Sequence, residues 1–113
     1  MPIAVLIADR GETRDAVGLY LAGRGWTTIP QSPDPDTIAD LVAQIAPGLI
    51  AIDFRGCESP ARACLESLGA VEAPICLFHA PVGIEASVPH AVRAQGPEDV
   101  PGAPGHPGAP HHD

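Results

Sequence analysis

Three polar residues close apolar runs in this chain: Asp9 after IAVLIA, Asp53 inside LIAIDFRG (49–56), and His79 inside PICLFHA. Continuous apolar runs of this length fit strands buried on both faces. A charged or ionisable residue at the end of each therefore falls on the rim of a sheet. Two carboxylates on neighbouring strand ends can cradle a hard divalent cation, and Asp53 could act as a nucleophile toward a phosphoryl donor. Arginines stand close by in sequence, Arg10 after Asp9 and Arg55 two positions after Asp53. The plainer alternatives are that Asp53 is held by Arg10 or Arg55, that Asp9 partners an arginine or a backbone amide, and that His79 is a hydrogen-bonded strand-end residue.

The elements that would position these residues alternate between strand and helix. After the first run, Ala16, Val17, Tyr20 and Leu21 share one helical face between about Thr13 and Arg24, with Gly23 and Gly25 as a stop. Trp26 to Pro30 is a short β-branched stretch fit for a sheet edge. In SPDPDTIADLVAQIAPG, Asp34 is the expected N-cap and Pro35 the first helical residue, with Ile38, Leu41, Val42 and Ile45 as the apolar stripe. LIAIDF is the next strand, followed by a helix capped by Ser59 with Cys64, Leu65 and Leu68 inward, then a strand from Pro74 to His79. His90 to Val92 forms a short last strand. Alternation of this kind implies right-handed crossovers and a parallel sheet covered on both faces. Binding sites in such sheets form at the carboxyl ends of the strands, where Asp9, Asp53 and His79 converge.

Composition narrows the function classes. The chain has 113 residues and a formal charge of −8, from 14 acidic residues against six arginines and no lysine. That balance gives no footprint for nucleic acid or an anionic membrane, and points to proteins or small ligands as partners. Cys57, Cys64 and Cys76 have no metal-ligand spacing and fit reduced structural thiols. The apolar N-terminal run lacks a basic lead and is too short to span a bilayer, so a soluble cytoplasmic protein is expected. Residues 1–95 form the expected α/β domain. Residues 96–113, rich in Pro and Gly and containing His106, His111 and His112, form an expected disordered tail that serves as a solubilising end or a loose metal binder.

Taken together, VLIADRGE, LIAIDFRG and PICLFHA resemble the first, third and fourth strands of the receiver domain of bacterial response regulators. The interval from Asp9 to Asp53 is close to that family's usual one, and RAQGPEDV overlies its Lys-Pro dipeptide, with Arg93 in place of the lysine. The resemblance covers roughly residues 3 to 100. It implies a flavodoxin-like three-layer sandwich with a parallel sheet of four or five strands, Asp53 as phosphoacceptor, and His79 and Arg93 as switch and anion contacts. Asp9, Arg10 and Arg55 would line the pocket, and Asp9 and Asp53 would hold Mg2+.

The departures from the family are as informative. Arg10 replaces the second of two adjacent acids, which weakens the magnesium site, and His79 replaces a small hydroxyl residue. The stretch between His79 and Arg93 is too short for a helix with two connections, so the fourth helix is expected to be missing and the fifth replaced by the tail. The expected function is a stand-alone, non-enzymatic, degenerate receiver acting by protein contact, with a histidine kinase or output regulator as partner and no cofactor. One alternative is a phosphorylatable single-domain response regulator that uses Mg2+. Another is a small-ligand domain of cobalamin type, whose middle SPDPDTIADLVAQIAPGLIAI resembles, although RGETR lacks that family's cobalt-ligating histidine.

Overall fold

A computed structural model describes residues 2–9, 12–84, 88 and 90–104, with the backbone alone at 12 and 13. Strands β1 (Ile3–Ile7), β2 (Thr27–Gln31), β3 (Leu49–Asp53), β4 (Ile75–Phe78) and β5 (Ala91–Ala94) form one sheet in the order β2-β1-β3-β4-β5, every pair parallel. Helices α1 (Glu12–Gly23), α2 (Pro35–Ile45) and α3 (Glu58–Ser67) make the crossovers. This is a flavodoxin-like doubly wound arrangement. Among the described residues no helix is long and apolar enough to cross a membrane.

Strand side chains alternate between two layers. Val5, Ile7, Ile50, Ile52, Ile75 and Leu77 pack under α2 and α3, against Ile38, Val42, Ala61, Cys64, Leu65 and Leu68. The opposite face presents Ala4, Leu6, Ala8, Leu49, Ala51, Cys76, Phe78 and Ala94 to α1, where Val17, Leu21 and Trp26 cover them. Gly48 makes room for this packing. A Cβ there would lie 3.0 Å from the Trp26 ring.

Local chemistry sets the helix ends. Pro35 begins α2 with Asp34 as N-cap, and the Asp34 carboxylate accepts the Thr37 hydroxyl at 2.9 Å. The helix ends on Ala46 in the left-handed region (φ 45°), whose N–H donates to the Val42 carbonyl. In α3 the cap is Cys57 rather than the expected Ser59, which sits inside the first turn with Pro60. A proline is tolerated there because first-turn N–H groups have no helical acceptor.

Three further expectations are corrected. Leu41, expected with Leu6, Ile50 and Leu77 to be nearly inaccessible to water, is half-buried, since the α2 stripe points Ile38 and Val42 most directly at the sheet. Ala16 is exposed and Tyr20 half-buried on α1. The segment expected to be disordered from residue 96 is packed through residue 104. It makes a 3-10 turn at Pro97–Asp99 and buries Val100 and Ala103 against the α1 layer. Arg24 Nε donates to the Val100 carbonyl at 3.0 Å, Trp26 Nε1 to the Pro101 carbonyl at 2.7 Å, and the Ala103 N–H to the Arg24 carbonyl at 2.9 Å. A strap thus occupies the place of a fifth helix. His106, His111 and His112 lie outside the described residues. Between β4 and β5 no α-helix occurs among the described residues, and Ile84 and Val88 reach into the α2/α3 layer instead.

Candidate functional site

Asp53 is the last residue of β3 and shares the α1 face of the sheet with Leu49 and Ala51, beside its register partner Phe78. It is 0% exposed, the one polar or charged residue fully buried among those described. Its Oδ1 accepts the Arg55 backbone N–H at 3.0 Å, while Oδ2 is buried without a hydrogen-bond partner. Burial pushes the Asp53 carboxyl above the usual aspartate range, against the opposing pull of the Arg55 N–H and of the His79 and Arg55 side chains. The protonated form is therefore favoured more than in an exposed aspartate.

The loop after β3 turns tightly over this carboxyl. Phe54 N–H donates to the Phe78 carbonyl at 2.9 Å, Cys57 N–H to the Phe54 carbonyl at 3.2 Å, and the Cys57 thiol to the Asp53 carbonyl at 3.3 Å. Gly56 adopts φ 77° at the turn. Asp9, exposed just beyond β1, leans toward it, and a Cβ on Gly56 would lie 3.6 Å from Asp9 Oδ2. Asp9 and the Asp53 loop are thus brought together at the carboxyl end of the sheet. Arg10 lies outside the described residues.

Arg55 and His79 meet each other rather than the carboxylates. Arg55 Nη2 is 2.7 Å from His79 Nε2 and 3.2 Å from Nδ1. The guanidinium can only donate in this contact. Among the described residues the ion pair is Arg62–Glu58 on α3, and none joins Arg55 to Asp53. His79 adopts φ 54°, an unfavourable region for a residue with a Cβ. Together with Val17, Tyr20, Phe78 and Gln95, the pair lines a cleft of about 320 Å³ between α1 and the ends of β3 to β5.

Arg93 is not gathered to Asp53. It pairs in register with Leu77 and so projects on the α2/α3 side of the sheet, opposite the face that carries Asp53. Its Nη1 donates to the Ala80 carbonyl at 2.6 Å and its Nη2 to that of Pro81, fastening the chain that leaves β4. Sequence reasoning passed over Tyr20 and Gln95 as cleft residues. It also passed over Arg24 and Trp26, which anchor the strap. The one available signal was the chain's single tryptophan, whose N–H needs an acceptor when buried.

A magnesium ion keeps several of its waters and binds through exposed carboxylate oxygens. Asp53 is sealed from water and drawn toward its neutral form, and among the described residues no group of three His, Cys, Asp or Glu side chains is placed to hold a metal. In this conformation Asp53 offers no exposed oxygen to a hydrated ion, whereas Asp9 is exposed. No family model and no curated protein matches the chain.

Proposed function

We propose that this chain is a receiver-like signalling module of the cytoplasm that acts by protein contact rather than catalysis, with a histidine kinase or output regulator of a two-component-type pathway as partner. The observation that carries the reading is the state of Asp53. It stands at the carboxyl end of the central strand of a flavodoxin-order sheet, where a phosphoacceptor would stand, yet it is sealed from water with one oxygen unpartnered. The resemblance in VLIADRGE, LIAIDFRG and PICLFHA supports the same reading, and the placement of Arg93 on the other face supports its degenerate form. On that face Arg93 does not stand where the family's lysine would meet charge developing on an incoming phosphoryl group.

The test is incubation of the full chain with acetyl phosphate and millimolar magnesium, read by intact mass and by amide spectra. The expected result is no gain of a phosphoryl group and no magnesium-dependent shift at Asp9, Asp53 or Gly56. A stoichiometric phosphoryl adduct that Asp53→Asn abolishes would replace this reading with that of a phosphorylatable response regulator.

A further inference from the structure

The cleft beside Asp53 has a chemistry of its own. In a chain with 14 acidic residues, Arg55 is exposed and its side chain faces an imidazole. One of its nitrogens touches His79, and the rest of its five N–H donors remain for water or a ligand. His79 holds the neighbouring position from a left-handed backbone (φ 54°), and such conformations recur at binding sites because the surrounding structure must enforce them. Below this polar rim the half-buried Tyr20 ring is the aromatic surface the cleft offers, tilted on the buried Phe78 with ring centroids 6.0 Å apart. A polar rim beside one aromatic face suits a small ligand with a charged head and a short apolar body. Burial that favours the neutral Asp53 carboxyl also lessens the repulsion an anion would meet there.

We propose that this cleft binds a small organic anion, a carboxylate or phosphate head hydrogen-bonded to Arg55 and His79 and an apolar body lying against the half-buried Tyr20 ring. Guanidinium groups match both heads through paired, charge-assisted hydrogen bonds. The site needs neither a metal nor a reaction at Asp53, and so gives the module an input independent of phosphoryl transfer.

Titration of the isotope-labelled full chain with benzoate and with phenyl phosphate tests this, with benzyl alcohol and inorganic phosphate as the neutral and the bodiless probe. Expected are saturable shifts at Arg55, His79, Gln95 and the Tyr20 ring, the tighter of the two aromatic anions identifying the head. Both control probes should bind about tenfold or more weakly, the loss of one charge-assisted contact or of the buried body. Arg55→Gln should weaken the anions by about tenfold or more, whereas Arg62→Gln, at an exposed arginine of α3 that does not line the cleft, leaves them unchanged. Asp53→Asn should retain binding, which separates this site from any phosphorylation result. The proposal is overturned if neither aromatic anion saturates, if benzyl alcohol or inorganic phosphate binds as well, or if binding survives Arg55→Gln in protein with unchanged circular dichroism.

Discussion

The two faces of the sheet are built on different plans. Under α2 and α3 the strands present large branched side chains, Val5, Ile7, Ile50, Ile52, Ile75 and Leu77, and two helices close over them. Under α1 the sheet offers mostly small side chains, Ala4, Ala8, Ala51 and Ala94. The volume there is filled from above by Trp26, by Val17 and Leu21, and by Val100 and Ala103 of the strap. The first face is a self-sufficient apolar layer. The second depends on parts distant in sequence and contains the sealed carboxyl and the cleft. Stability concentrates on one side of the sheet, and chemistry on the other.

The largest effect should fall on the first face. Leu65→Ala removes a fully buried side chain between α3 and the sheet, and is expected to cost about 2 to 5 kcal/mol in urea unfolding. Leu41→Ala, half-buried on the same face, should cost clearly less, and equal losses would break the assignment of Ile38 and Val42 as the inward stripe. Next comes the second face. Deleting the chain after Gln95 removes the burial of Val100 and Ala103 and the bonds from Arg24 and Trp26, an expected loss of about 2 to 4 kcal/mol. A melting temperature unmoved by the deletion would mean that α1 covers its face unaided.

A smaller effect, and one of opposite sign, should come from Asp53→Asn. Because burial raises the folded-state pKa of Asp53, its contribution is complete below the unfolded aspartate range, about 3.9, and is lost as pH rises through the folded value. The variant should therefore match the parent near pH 3 and exceed it at pH 7 by on the order of 1 kcal/mol. A gap that shrank as pH rose would show Asp53 to be stabilised as a carboxylate. The smallest effect is expected at the end of α2, where Ala46→Gly relieves a left-handed residue and should raise stability by about 0.5 kcal/mol in the same urea assay.

The parallel sheet was legible because strands buried on both faces must be apolar without interruption, as IAVLI and LIAI are. Asp34 and Pro35 marked the start of α2 for an equally local reason. Leu41 was misplaced because periodicity identifies a stripe without saying which of its edges faces the core. The strap escaped notice because it buries only Val100 and Ala103 and is held by backbone carbonyls, which any sequence supplies. At the site, strand ends located Asp9, Asp53 and His79. The Arg55–His79 contact depends on a side-chain rotamer and a positive φ, and the face taken by Arg93 depends on strand register, none of which leaves a compositional trace.

The three buried cysteines give the two layers a means of being watched separately. Cys64 lies in the α2/α3 layer and Cys76 in the α1 layer, and burial pushes both thiols up to about 11. Only the thiolate reacts with an alkylating reagent, so each sulfur is silent until its own layer opens and lets water in. Pulsed alkylation, resolved by peptide, would then clock the opening of each face without any introduced label. Cys76 should react before Cys64 if the strap is the first part of the molecule to let go.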